Sequence, residues 1–146
     1  MASTTFTTEL TVDRMVHGGN GLARLDDGRI ALVTGAIPGE RVNAELSTRK
    51  GVLLGTVIEV VTPSSDRVAT PLHPGLDYGH IAYTKQLDLK REVVADALTR
   101  ALKRDLEVPA VRPAPQLLGY RNAVQPAVGG NGLGYRRPGT GQVVVL

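Results

Sequence analysis

Gly21-Leu22-Ala23-Arg24-Leu25-Asp26-Asp27-Gly28-Arg29-Ile30-Ala31-Leu32-Val33 reads as two short strands folded back on each other. Asp-Gly suits the primed hairpin turns whose backbone twist matches that of paired strands, so Gly21 to Leu25 leads in and Arg29 to Val33 returns. Upstream, Phe6 to Val16 carries Leu10 and Val12 in alternation before Met15-Val16. The loop His17-Gly18-Gly19-Asn20-Gly21 is rich in residues that accept positive φ. Downstream, Thr34-Gly35-Ala36-Ile37-Pro38-Gly39 forms a second loop. Glu40 to Leu46 then places Val42, Ala44 and Leu46 on one face. Ser47 to Gly51 is a basic turn containing Arg49 and Lys50. Val52 to Val61 is a β-branched strand, ended by Pro63-Ser64-Ser65-Asp66. Five strands in roughly sixty residues predict a compact closed or nearly closed sheet of the oligonucleotide-binding (OB) type, a small barrel that suits a short β-rich chain because closure removes exposed strand edges.

The rest of the chain has a different texture. Asp66 to Tyr83 is broken by proline and glycine and reads as an irregular connector. Thr84-Lys85-Gln86-Leu87 opens a helix with Thr84 as the expected N-cap. Leu87, Val94, Leu98, Ala101 and Leu102 follow helical spacing to about Asp105, with Arg91, Lys103 and Arg104 at polar positions. Pro109 forbids continuation. After Pro113 and Pro115, Ala123 to Val128 is a further expected strand and Gly129-Gly130-Asn131-Gly132 a turn. Leu133 to Arg137 and Gln142 to Leu146 form a hairpin around Pro138-Gly139-Thr140-Gly141. The predicted fold is therefore mainly β with an α+β second part: an OB-like five-stranded barrel over residues 1–63, a connector over 64–83, and a helix with a β-hairpin region over 84–146. The apolar end Val143-Val144-Val145-Leu146 is unlike a frayed polar terminus and is expected to belong to a longer polypeptide.

Composition narrows the chemistry. Lys plus Arg total 17 against 14 Asp plus Glu, a formal charge of +3 with a sequence pI near 9.5, which favours a polyanionic partner. The absence of cysteine removes disulfides, thiolate metal sites, cysteine-held iron–sulfur clusters and any cysteine nucleophile. His73, Asp77 and His80 match no metal-ligand spacing, and no nucleophile-elbow pattern is present, so neither metal ligands nor catalytic residues are expected. Met1 to Thr8 lacks the pattern of a signal peptide, and no apolar run approaches a membrane span; a cytoplasmic protein without a membrane partner is expected.

The order of motifs resembles a known family. Arg14-Met15-Val16-His17-Gly18-Gly19-Asn20-Gly21-Leu22-Ala23-Arg24, followed by Ala36-Ile37-Pro38-Gly39-Glu40-Arg41-Val42, is similar to the TRAM domain of RNA uracil-5-methyltransferases. Tyr83-Thr84-Lys85-Gln86-Leu87-Asp88-Leu89-Lys90 resembles the Tyr-x-x-Gln-Leu-x-x-Lys helix opening of their central region. Gly119-Tyr120-Arg121-Asn122 matches a Gly-Tyr-Arg-Asn stretch, and Gly134-Tyr135-Arg136-Arg137 the glycine–aromatic–basic strand that follows it. The resemblance covers nearly the whole chain. It departs where many members carry a four-cysteine iron–sulfur site: Pro71 to His80 holds no cysteine, though His80 and Tyr83 keep a His-x-x-Tyr.

The resemblance implies an RNA-binding front part of a methyltransferase acting on ribosomal or transfer RNA. S-adenosylmethionine, the nucleophile and the general base would be supplied by polypeptide beyond these residues, and this chain alone is expected to be inactive. The residues expected to face structured RNA are Arg14, His17, Asn20, Arg41, Arg49 and Lys50 in the barrel half, and Tyr120, Arg121, Asn122, Tyr135, Arg136 and Arg137 beyond it. Phe6 is the only aromatic of the barrel half, so that half is expected to work by backbone electrostatics rather than base stacking. Two other readings fit the same composition: a free-standing RNA-binding or RNA-chaperone protein, and a protein-interaction scaffold.

Overall fold

The computed structural model describes residues 5–49, 51–70, 74–120, 122–137 and 141–145. Strands β1 (Thr5–Met15), β2 (Asn20–Arg24), β3 (Ile30–Thr34), β4 (Arg41–Arg49) and β5 (Val52–Thr62) close into a barrel in the order β1-β2-β3-β5-β4. All neighbours are antiparallel except β3 and β5, which run parallel. This is the expected OB-like architecture. Alternation decides the faces: Leu10 and Val12 of β1 and Val42, Ala44 and Leu46 of β4 are buried, while Thr7, Glu9, Thr11 and Asp13 face out. The core they form with Ala23, Ala31, Val33, Ala36 and Leu53 is built of small aliphatic side chains.

One local expectation changes, at the β2–β3 turn, and β1 carries an irregularity. The β2–β3 connection is not a two-residue primed turn: Leu25 N–H donates to Arg29 O (2.9 Å) across a three-residue loop. Only Gly28 of that loop has positive φ (83°), whereas a type I′ turn needs two such residues. In β1 the register slips between Val12 and Arg14, so Met15 rather than Arg14 is buried. Met15 leaves the barrel core for a second cluster with Ile37, Ile81 and Leu89, flanked by Tyr78 and Val93.

That second cluster joins the barrel to the connector and the helix α1 (Tyr83–Leu102). The connector folds back on itself through an antiparallel Arg67–Ile81 bridge, with Val68 N–H donating to His80 O (3.0 Å) and Ala82 N–H to Asp66 O (2.8 Å). Thr84 is not the N-cap. Ala82 is, without a side-chain cap, because Gln86 Nε2 donates to Tyr78 O (3.1 Å) and Ile81 O (2.9 Å) and draws the first turn upstream. The helix also ends before Asp105: Lys103 takes a left-handed conformation (φ 55°) and its N–H closes on Thr99 O (2.9 Å). Beyond it, Arg91 Nε donates to Val108 O (2.6 Å) and Ala114 N–H to Tyr83 Oη (2.7 Å), holding an extended segment to the helix.

A separate antiparallel sheet follows, β6 (Ala127–Gly129), β7 (Gly132–Arg136) and β8 (Val143–Val145), in that order. The expected strand from Ala123 shrinks to Ala127–Gly129, since β6 pairs only with β7 and only over three residues. The turn expected over Pro138-Gly139-Thr140 lies outside the described residues.

Candidate nucleic-acid interface

Topology separates the basic residues singled out in the barrel. Thr5 pairs with Ser47 at one end of the β1–β4 ladder, while Arg14 pairs with Leu22 near the other end of β1. The stretch of strand from Thr5 to Arg14 spans about 30 Å. Arg49 therefore sits at one end of the barrel, and Arg14, His17 and Asn20 at the other. Lys50 and Arg121 lie outside the described residues.

Several of these side chains already have partners. Arg14 Nη1 lies 2.7 Å from Asp96 Oδ1 and ties β1 to α1, where Asp96 also holds Arg100. Arg41 donates through Nε (3.0 Å) and Nη2 (2.6 Å) to Glu9 Oε1 on the neighbouring strand. Asn20 accepts from Thr34 Oγ1 (2.9 Å) and so pins β2 to β3. His17 is exposed. Gly19 near it is buried, with φ of 77°, and a Cβ there would lie 2.7 Å from Asp77 Cβ. Loop 17–20 is thus packed against the connector on its glycine side. Arg49 and Arg136 are exposed and form no ion pair among the described residues. Asn122 and Arg137 are exposed, Tyr120 is 63% exposed, and Tyr135 is half-buried on β7.

Charge is unevenly placed. Residues 1–63 carry six basic and seven acidic side chains, and 64–83 one basic and two acidic. Residues 84–146 carry ten basic and five acidic, so the whole positive excess lies after the barrel. The groove between β1 and the β2–β3 hairpin illustrates this. Glu9, Asp13, Asp26 and Asp27 line it against Arg24 and Arg29. Arg29 lies 2.7 Å from Asp27, whose carboxyl it holds below the usual range, and stacks 5.8 Å from the Phe6 ring centre. A groove lined by four carboxylates repels phosphate, and Phe6 is capped by Arg29 rather than open to a base.

The most buried polar group is one the sequence did not flag. Glu40 is fully buried after Gly39 and accepts hydrogen bonds from three residues in two segments, its own loop and the connector. Its Oε2 takes Ile37 N–H (2.9 Å) and Arg67 Nη2 (2.6 Å), and its Oε1 takes Ser64 N–H (3.0 Å) and Arg67 Nε (2.7 Å). Arg67 also reaches Gly35 O (2.8 Å). Burial alone would raise the Glu40 pKa, but the Arg67 guanidinium and the two backbone N–H groups outweigh it and hold it below the ordinary carboxylate value. His80, 1% exposed, lies 3.4 Å through Nε2 from Ala36 O, and its Nδ1 has no partner among the described residues. Burial, reinforced by the Arg67 charge, pushes its pKa down against the opposing pull of Ala36 O and Glu40. These three residues lock loop 35–40 to the connector, a pairing across 27 positions that no local pattern announces.

Among the described residues no group of three or more His, Asp or Glu is placed to hold a metal ion, and no helix is long and apolar enough to cross a membrane. The surface depressions at β1 and at Pro63–Thr70 are open, and neither is lined by the glycine-rich strand–helix turn that a nucleotide-like methyl donor requires.

No family model matches the chain. It is 36% identical over 146 residues to the 23S rRNA (uracil(1939)-C(5))-methyltransferase RlmD of Halomonas elongata, covering 92% of this chain and 28% of that protein. It is 31% identical over 135 residues to an uncharacterised RNA methyltransferase of Thermotoga maritima (88% and 30%). A third, from Thermosynechococcus vestitus, is 35% identical over 127 residues (81% and 28%). The chain thus spans under a third of the length of these curated relatives. It belongs with the RNA methyltransferases that include a 23S rRNA uracil-C5 enzyme, and corresponds to their N-terminal part.

Proposed function

We propose that the chain is the RNA-binding N-terminal portion of an S-adenosylmethionine-dependent RNA (uracil-5-)-methyltransferase of the cytoplasm. It would orient ribosomal or transfer RNA for a catalytic part that lies beyond the matched region. The observation that carries this is the alignment of over four-fifths of the chain with the first part of RNA methyltransferases. The OB-type barrel, a fold that repeatedly serves nucleic-acid binding, supports it. In this reading residues 1–63 are the barrel, 64–83 the connector and 84–146 the start of a central region.

The RNA-facing residues proposed are Arg14, His17, Asn20, Arg41, Arg49 and Lys50 with Tyr120, Arg121, Asn122, Tyr135, Arg136 and Arg137. Arg14 and Arg41 must first release Asp96 and Glu9 to reach a phosphate. More of the attraction therefore falls to Arg49 and Arg136. Methyl transfer to uracil C5 needs a nucleophile at C6, a role suited to cysteine, and this chain has none. S-adenosylmethionine would supply the methyl group from a site outside these residues.

Filter binding to structured RNA at low and high salt tests the reading. Steep loss of affinity with salt is expected, with no methyl incorporation when S-adenosylmethionine is supplied. Methyl transfer by this chain, or indifference to RNA at low ionic strength, overturns it.

A further inference from the structure

Residues 84–145 contain almost no core. Of the fourteen buried hydrophobic residues among those described, only Leu89 belongs to this stretch, whereas ten of the sixteen exposed large hydrophobics do. On α1, Leu89 faces the barrel, but Val94 (47% exposed), Leu98 (36%) and Leu102 (51%) follow one another at four-residue spacing on a face left open among the described residues. On the small sheet, Val128 (76%) and Leu133 (53%) are direct cross-strand partners and both stand exposed. Cross-strand neighbours share a face, so this too is an apolar face without a layer over it among the described residues. The strands of this sheet are only three to five residues long, and an apolar sheet face is stable when another element is packed over it.

We infer that the Val94–Leu98–Leu102 stripe and the Val128–Leu133 face are the near half of a core whose far half is the polypeptide that follows the matched region in the methyltransferase relatives. This rests on the proposed function. The occupant is argued from length: the matched stretch is 28–30% of the relatives, leaving more than two-thirds of their chain outside it. It is argued also from position, since the uncovered faces lie in the part of the chain nearest that remainder, while the barrel and connector bury their apolar residues in two clusters, the second completed by Leu89 and Val93 on the other side of α1. A second copy of this chain would bring the same thin, coreless layers together and supply no covering helix beyond α1 itself.

The experiment is hydrogen exchange on two molecules: the 146-residue chain alone, and a chimera in which it replaces the matched part of the Halomonas elongata enzyme. In the free chain, amides of β1, β4 and β5 should be protected, while those of 94–102 and 127–145 exchange near unprotected rates, and sedimentation should show a monomer. In the chimera, the same segments should slow on the order of 100-fold. The double variant Leu98→Asp/Leu102→Asp should reverse this in the chimera, and Ile58→Asp, on the exposed barrel face, should leave it unchanged. Segments that stay unprotected in the chimera overturn the inference. So does a concentration-dependent dimer of the free chain that protects them, or protection insensitive to the double variant. RNA binding by the free chain is scored separately, so loss of this interface and loss of the RNA-binding reading are told apart.

Discussion

Glu40 is the residue on which the most local order depends. Replacing it with Gln removes the charge that compensates Arg67, whose side chain is only 20% exposed, and weakens the bonds to Ile37 and Ser64 N–H. Breaking one half of a buried pair costs about 3–5 kcal/mol, and urea unfolding of Glu40→Gln should show a loss of that size. A value below about 1 kcal/mol would mean that the pair is solvated. The same site sets an acid limit. His80 is held neutral with its pKa below the ordinary 6.5, so below that pH the unfolded chain takes up a proton that the folded chain refuses. Stability should therefore fall as pH drops through 6.5. Glu40 acts in the same direction at lower pH: its pKa is depressed, and its contribution is lost as pH falls through the folded value. His80→Gln should flatten the melting temperature between about pH 7 and 5.5 while leaving the steeper loss at lower pH. An unchanged slope would show that His80 titrates freely.

Among the elements, α1 is held by one buried side chain. Leu89 is 0% exposed in the cluster of Met15, Ile37 and Ile81. Leu89→Ala should cost about 2–5 kcal/mol if helix and barrel unfold together. The Arg14–Asp96 ion pair between the same elements is more than a third exposed on the arginine side, and Arg14→Ala should cost under about 1 kcal/mol. A helical far-ultraviolet signal that survives Leu89→Ala with the barrel intact would show the two to be separable. The helical spacing of Val94, Leu98 and Leu102 was plain in the sequence, yet the face that meets the barrel is that of Leu89 and Val93. Periodicity finds an apolar stripe; it does not say which neighbour covers it.

For the whole molecule, the formal charge of +3 conceals a nearly neutral, slightly acidic barrel and a basic remainder. Removing one arginine that neutralises a phosphate should reduce the slope of log affinity against log salt by about 1. Arg136→Ala should therefore flatten the salt dependence of RNA binding more than Arg41→Ala, because Arg41 already commits its charge to Glu9. Equal effects from the two variants would return the barrel to the centre of the binding surface.

Strand alternation, turn residues and proline breaks were enough to write the barrel, its five strands, the helix and the late sheet, because each is encoded by neighbours within a few positions. The motif order was enough to name the relatives. The parallel pairing of β3 with β5 arises between segments that the whole of β4 separates along the chain. The Glu40–Arg67–His80 lock, the β1 bulge that buries Met15 in place of Arg14, and the pairing of Arg14 and Arg41 with carboxylates arise in the same way. Those depend on which distant groups meet in low dielectric, and only the folded chain brings them together.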